Sequence, residues 1–272
     1  MLSIIIPASN EAEWIGPCLA ALCASALPAA QVIVVANGCR DATADLARQV
    51  LAKDLPKGWQ AQVLDLAEGS KPGALNAGDA AAIHPARVYL DADVTVSPGL
   101  LGALAQTLQT DHPRYASGTP VIPPPRSAVT RAYARFWQKL PFNRSPAPGY
   151  GLFAVNAAGR ARWGAFPAII SDDTFVRLQF TPDERVQVPQ TYHWPMIEGF
   201  KALARVRRRQ DAGVRQLENL YPGLTDREGK PPLTRADLAR MALQDPTGFA
   251  TYAAVSLAVK TRRGGAAFTR GR

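Results

Sequence analysis

Four carboxylates carry the chemistry that this sequence most readily offers. Leu90-Asp91-Ala92-Asp93 closes an apolar run, and Ser171-Asp172-Asp173 follows some 80 residues later. Two carboxylates one residue apart past a strand end are expected to face the same side of the pleat. Unscreened they repel, so such a pair usually holds a divalent cation against a phosphate or a sugar hydroxyl. The plainer reading is two turn-forming aspartates ahead of a helix, although Ser97-Pro98 already supplies that helix start. Asp172 and Asp173, being adjacent, can raise one another's pKa, which suits a general base. Their plainer reading is a cap on the helix that follows. An Asp-x-Asp tripeptide by itself is common and decides nothing.

The elements that must position these groups alternate along the first hundred residues. Short β-branched runs at Ser3–Pro7, Val32–Val35, Gln62–Leu66 and Arg87–Leu90 are continuous rather than alternating, as in strands buried on both faces of a parallel sheet. Helical patterns at Glu11–Ser25, Ala42–Lys53 and Pro72–Ala82 lie between them, with Asp41 and Ser70 as N-caps of the second and third. A βαβαβαβ run predicts an α/β sandwich whose ligand chemistry gathers at the carboxyl ends of the strands. From His112 to Pro148 the sequence holds eight prolines around one helical stretch, Ala128–Lys139. That stretch carries Tyr133, Phe136 and Trp137, either packed on the sheet or forming a lid or acceptor wall. A short helix near Asp173–Phe180 and a basic helix at Ile197–Gln210 follow. Two last helices are opened by the capping box Thr234-Arg-Ala-Asp237 and by Asp245-Pro246.

Five segments then fall into a familiar order and spacing: Ser3–Glu11 (SIIIPASNE), Val34–Thr43 (VVANGCRDAT), Gly69–Gly78 (GSKPGALNAG), Val88–Asp93 (VYLDAD) and Ser171-Asp172-Asp173. Together they resemble the family 2 glycosyltransferases of GT-A fold, over roughly residues 1–210. The resemblance implies that Pro7, Ala8, Ser9 and Glu11 line the nucleotide base and ribose, and that Lys71 approaches the nucleotide. The family usually has two acidic residues ahead of Gly-Ser after the second strand. Here Ala36-Asn37-Gly38-Cys39 stands instead, and an Asn amide donates as well as accepts. Asp91, with Ala92 beside it, is implied to face ribose or sugar hydroxyls, and Asp93 to bind Mg²⁺ or Mn²⁺ across the diphosphate. Asp173 aligns with the catalytic base, with Asp172 as its neighbour. His193 is a candidate third metal ligand by analogy with some GT-A enzymes, and equally a structural histidine among aromatics. Arg205 to Gln210 sits where some relatives carry Gln-x-x-Arg-Trp; that sequence is absent, so processive synthesis is not expected. Asn76 and Gly78 serve packing. Gly149-Tyr150-Gly151 and Trp163–Pro167 fall where the family has acceptor-side loops.

The implied activity is metal-dependent, inverting, non-processive transfer of a sugar from a nucleoside-diphosphate sugar to a glycan, lipid-linked or small-molecule acceptor. The expected architecture is a Rossmann-like α/β/α sandwich with a mostly parallel sheet at residues 1–210 and a basic helical extension at 211–272. Composition agrees with that division. Of 272 residues, 31 are Lys or Arg and 22 Asp or Glu, a net charge of +9. The first 200 residues balance at 16 against 16, and residues 201–272 hold 15 against 6. A uniformly basic nucleic-acid coat is therefore not expected. Two rival readings remain. A haloacid-dehalogenase-type phosphatase would use Asp91 and Asp93 within Asp-x-Asp-x-Thr, but that motif usually opens such chains. A basic module binding nucleic acid or a membrane would use residues 201–272. Cys18, Cys23 and Cys39 are too few for a disulfide framework and read as reduced thiols in a cytoplasmic setting. No window approaches the roughly 20 apolar residues of a membrane span. The apolar stretch Gly248–Val259, ahead of Lys260-Thr261-Arg262-Arg263, either packs on the body or rests on the inner membrane face.

Overall fold

The computed structural model describes residues 1–261. The chain begins with the expected alternation: β1 (Leu2–Ala8), α1 (Ile15–Cys23), β2 (Gln31–Asn37), α2 (Thr43–Asp54), β3 (Gln60–Leu66), α3 (Lys71–Ala81) and β4 (Ala86–Leu90). After it come β5 (Thr95–Val96), α4 (Leu100–Thr107), β6 (Tyr115–Val121), α5 (Ala128–Trp137), β7 (Leu152–Val155), α6 (Ala157–Arg160), α7 (Asp172–Arg177) and β8 (Arg185–His193). Among the described residues three α-helices come last: α8 (Phe200–Leu220), α9 (Arg235–Gln244) and α10 (Pro246–Thr261).

The strands form one eight-stranded sheet in the order β3-β2-β1-β4-β7-β6-β8-β5. β1 pairs in parallel with β2 and β4, β2 with β3, and β6 with β8, while β7 and β5 join antiparallel. The continuous apolar strands explain the two-sided burial. Along β1 and β2, Ile4, Ile6, Val32 and Val34 enter one core with Ile15, Leu19 and Leu22 of α1 and Leu101 and Leu104 of α4. Ile5, Ile33 and Val35 point the other way, into a second core with Leu75 of α3 and Phe175 of α7. The strand period of two thus serves both layers of the sandwich.

Local chemistry sets the helix starts. Ser70 accepts from Gly73 N at 3.1 Å and caps α3, as expected. Asp41 does not occupy the cap position of α2, which falls to Ala42. Its carboxylate instead accepts from Thr43 N and Oγ1 at 3.1 and 2.5 Å and from Ala12 N at 3.1 Å, tying the first βα loop to the start of α2. The capping box at Thr234 and Asp237 forms.

Two expectations about the C-terminal part need correction. The basic helix does not stop at residue 210; α8 continues to Leu220, so the boundary expected there falls inside an element. The aromatic face of α5 does not pack on the sheet. Phe136 lies 5.1 Å from Tyr252 and 5.6 Å from Phe249, and Tyr133 lies 5.6 Å from Tyr252, all centroid to centroid on α10. Val255 of α10 is fully buried in the same cluster with Leu203 and Ala204 of α8. Arg135 adds a two-point contact to Asp245 at 3.1 and 3.3 Å, and Arg207 of α8 donates to the Tyr252 hydroxyl at 3.2 Å. α10 therefore packs on the body through Tyr252 and Val255, while Leu257 stays exposed. Arg262, Arg263 and the arginines after them lie outside the described residues. No helix of the described residues is long and apolar enough to cross a membrane.

Gly78 lets α3 lie close on the sheet, because a β-carbon there would fall on Ile5 Cγ2 of β1. Gly78→Ala is expected to destabilise the fold by about 1–3 kcal/mol through overpacking. Thermal unfolding should show this as a lower midpoint, by about 2–4 °C per kcal/mol for a chain of this size.

Candidate active site

At the carboxyl ends of β1, β2 and β4 the sheet opens into a cleft of about 340 Å³. Parallel strands all deliver their following loops to this edge, so residues distant in sequence meet there. Asp91 and Asp93 arrive just past β4. They sit in a turn closed by Val94 N to Asp91 O at 3.1 Å, rather than on a continuing pleat, because β4 ends at Leu90. Both nevertheless line the cleft. Asp172 and Asp173 come from the first turn of α7, where negative charge meets the positive end of the helix.

Lys71, at the first position of α3, joins these two pairs. Its Nζ lies 3.0 Å from Asp91 Oδ1 and 3.2 Å from Asp172 Oδ2. Burial works against the ammonium charge, but Asp172, Asp91 and Asp173 outweigh it and hold the group above the usual lysine range. Asp172 is nearly inaccessible, with its side chain 7% exposed. Burial pushes its carboxyl up to about 6; Lys71 pulls against that, while Asp173 and Asp91 reinforce it. Asp173 is more open, and its Oδ1 accepts from Thr174 N at 2.6 Å and from Thr174 Oγ1 at 3.3 Å. Of the adjacent pair, one carboxylate thus anchors Lys71 and the other faces the cleft with its own helix turn as support.

The first two loops are laced together beside these groups. Asn10 takes a positive φ of 58° and its Oδ1 accepts from Arg40 N at 2.7 Å, while Glu11 N donates to Thr43 Oγ1 at 2.8 Å. Asn37 is buried and its side-chain amide donates to Ala8 O at 2.9 Å and Val35 O at 3.3 Å. Its amide N–H groups therefore stitch β1 to β2. Ser9 Oγ is buried at the cleft with no hydrogen-bond partner among the described residues. Opposite, Gly151 O accepts from Asp91 N at 2.9 Å, and the Tyr192 hydroxyl donates to Tyr150 O at 2.8 Å. Gly151 has a φ of 75°, and a β-carbon there would crowd Trp194 and Val94. Only glycine permits that approach.

Pro7, Ser9, Glu11, Asn37, Lys71, Asp91, Ala92, Asp93, Asp172 and Asp173 all line this one cleft. Ala8 does not; it is buried in β1 and offers only its carbonyl to Asn37 and Cys39. His193 does not either. In β8 Tyr192 points inward, so His193 points outward and is exposed opposite Thr95. Asn76 acts as a clamp, donating to Phe166 O at 3.1 Å and accepting from Phe166 N at 2.7 Å, which fixes the loop before α7. The second half of the cleft brings together Trp137 and Tyr150, both offered by the sequence as acceptor-side candidates, with Trp194, which was not. Trp137, Tyr150 and Trp194 cluster there, with centroids 4.7 to 5.9 Å apart, the two indoles stacked and Tyr150 meeting both at steep angles, beside Met196, Leu203 and Val206. The aromatic face of α5 was its sequence signal, but the partners come from loops 13 and 57 residues further on.

The family model described as Glycosyl transferase family 2 matches residues 3–163, more than half of the chain. The chain belongs to glycosyl transferase family 2. It is a glycosyltransferase, and the phosphatase reading of Asp91 and Asp93 falls away. Among curated proteins none matches the sequence. Among solved structures, a mannosyltransferase from Pyrobaculum calidifontis in complex with GDP-Man and Mn²⁺ is similar, with 20% identity and a TM-score of 0.62 over 97% of this chain and 76% of that one. S. aureus TarS in complex with UDP-GlcNAc aligns with 13% identity and a TM-score of 0.56, over 96% and 91% of the two chains. Glucosyl-3-phosphoglycerate synthase from Mycobacterium tuberculosis, in complex with Mg²⁺ and UDP, aligns with 18% identity and a TM-score of 0.52, over 85% and 80%. At these identities the likeness is one of fold, and the fold is GT-A.

The raised Asp172 carboxyl has a signed consequence for stability. The folded protein holds that proton more tightly than the unfolded chain, so the contribution is fully present at low pH and is lost as pH rises through about 6. Asp172→Asn should therefore lose less thermal stability than the wild type as pH rises from 4.5 to 7. Paired unfolding curves across that range measure it; parallel pH dependence in the two proteins would contradict the burial-driven shift.

Proposed function

We propose that this protein transfers a sugar from a nucleoside-diphosphate sugar to an acceptor hydroxyl, by one inverting displacement assisted by Mg²⁺ or Mn²⁺. The observation that carries the reading is the meeting of Asp91, Asp93, Asp172 and Asp173 with Lys71 in one cleft at the strand ends of a family 2 glycosyltransferase. Donor use is supported by the complexes of its structural relatives with GDP-Man, UDP-GlcNAc and UDP. Ser9, with its unsatisfied hydroxyl, and the laced loops carrying Asn10, Glu11 and Asn37 are the assigned nucleotide side.

Among the described residues no group of three or more His, Cys, Asp or Glu side chains is placed to hold a metal ion. A donor set that sparse does not suit an all-protein cage. It does suit Mg²⁺ or Mn²⁺ taken through one carboxylate with diphosphate oxygens completing the shell. Asp93, which lines the cleft at the position where the family resemblance puts the metal ligand, is the assigned ligand, and His193 is dropped from the set. When bound, the ion neutralises charge developing on the departing diphosphate.

The chain's own groups do the rest. Asp173 is the assigned base for the proton of the attacking hydroxyl. Its position in the first turn of α7 fixes its direction, and Phe166 clamped by Asn76 holds the preceding loop. Lys71 keeps Asp91 and Asp172 from repelling and sets a positive charge beside the phosphates. The acceptor oxygen attacks the anomeric carbon from the face opposite the diphosphate, so the sugar configuration inverts and no covalent enzyme intermediate forms.

Asp173→Asn should lower transfer by about 10²–10⁴-fold, the usual worth of a positioned base, and keep donor binding. Asp93→Asn should lose the part of nucleotide-induced thermal stabilisation that depends on Mn²⁺. Thermal-shift and product assays on a panel of sugar nucleotides measure both. Undiminished transfer in the first variant, with unchanged metal dependence in the second, would sink the assignment.

A further inference from the structure

The cleft is chemically two-sided, and the gradient between its halves runs along α8. At one end, Gly213 packs so closely on the loop before α7 that a β-carbon would fall on Ser171 Oγ and lie 3.1 Å from Ile170 Cγ2. That end of α8 therefore sits directly beside Asp172 and Asp173. Ile170 N, donating to Gln216 Oε1 at 3.0 Å, fastens the same contact. At the other end, Leu203 is buried with Tyr133 and Met196. Between them, Val206, Arg207, Arg209 and Gln210 line the cleft. With a rise of about 1.5 Å per residue, the surface passes from apolar at Leu203 to carboxylate at Gly213 in about 15 Å. Arg209 stands one helical turn, about 6 Å, before the carboxylate end.

The two arginines are not equivalent. Arg207 is already engaged, with Asp211 at 3.0 Å and the Tyr252 hydroxyl at 3.2 Å. Arg209 has no ion-pair or hydrogen-bond partner among the described residues and lines the cleft. A guanidinium so placed fits a phosphate. The apolar half is equally particular. Trp137, Tyr150 and Trp194 form an aromatic wall, and its neighbours Met196, Leu203 and Val206 carry no strong hydrogen-bonding group. A sugar ring could lay its C–H face on the aromatic rings, but Met196, Leu203 and Val206 offer its hydroxyls no partners. A hydrocarbon chain covers both parts of the surface without leaving a polar group unpaired.

We propose that the acceptor is a phosphorylated amphiphile. Its apolar chain lies on the wall of Trp137, Tyr150 and Trp194, its phosphate meets Arg209, and its attacking hydroxyl, just beyond the phosphate, reaches Asp173. The O–H proton passes to Asp173, the oxygen bonds to the anomeric carbon, and the nucleoside diphosphate leaves with the bonding pair. The inference rests on the glycosyl-transfer reading and names the acceptor class that reading leaves open.

Octyl phosphate, octanol, octyl glucoside and inorganic phosphate, each below its micelle threshold, separate the contributions. Binding to the full-length protein is followed by tryptophan fluorescence, since Trp137 and Trp194 form the wall. Octyl phosphate should bind at least about tenfold more tightly than each of the other three, the worth of one charge-assisted contact added to an apolar one. Arg209→Gln should erase its advantage over octanol, and Trp194→Leu should weaken octyl phosphate and octanol alike. Inorganic phosphate binding as well as octyl phosphate, or octyl glucoside binding better, would overturn the proposal. In parallel, nucleotide-induced thermal stabilisation is measured with Mn²⁺. Failure of octyl phosphate with donor binding intact overturns the acceptor class alone, whereas loss of both removes the glycosyl-transfer reading beneath it.

Discussion

Lys71 Nζ is shared between Asp91, 3.0 Å away past β4, and Asp172, 3.2 Å away at the start of α7. Without that ammonium the two aspartate pairs would face each other across the cleft, and their mutual repulsion would drive their segments apart or force protons onto them. With it, one carboxylate from each pair is tied, and the two halves of the site close on a common positive charge. The placement is inexpensive in structural terms: Ser70 caps α3, so its first residue is held at the strand-end edge of the sheet. The rest of the molecule keeps those three segments in register.

That registration depends on close backbone approaches more than on additional ion pairs. Gly78 lets α3 lie on Ile5, Gly151 lets the Tyr150 segment reach Asp91 N, and Gly213 lets α8 reach Ser171. Asn37, Asn76 and Asp41 spend their side chains on backbone groups of neighbouring loops. Polar residues that look like ligands in a motif are thereby partly consumed in fixing its shape. The helices α5, α8 and α10 pack together through Tyr133, Leu203 and Val255 and place the aromatic wall across from the carboxylates.

Much of this arrangement was legible in the chain. Continuous β-branched runs announced two-sided strands because parallel strands have no solvent face to encode. Ser70 and the Thr234–Asp237 box announced their helices because a cap is a local contact. The acidic motifs announced the cleft because strand ends of an open α/β sheet converge. What stayed hidden was non-local. The ion pairs of Lys71 need the distance across the cleft. The outward turn of His193 needs the register of β8 against β5. The wall of Trp137, Tyr150 and Trp194 needs the end of α5 and two later loops brought together, and the docking of Tyr133 and Phe136 on α10 needs the chain to return after more than a hundred residues. Each is a tertiary fact with no short-range signature.

One ammonium group, that of Lys71, ties a carboxylate on each side of the cleft. Titration of the Asp172 carboxyl, followed by carbon NMR in the wild type and in Lys71→Met, tests that role. In the wild type the group should titrate near 6, raised by burial and restrained by Lys71. Removing the ammonium leaves burial and the neighbouring aspartates unopposed, so the midpoint should move upward in the variant. An unchanged or lower midpoint would contradict the account.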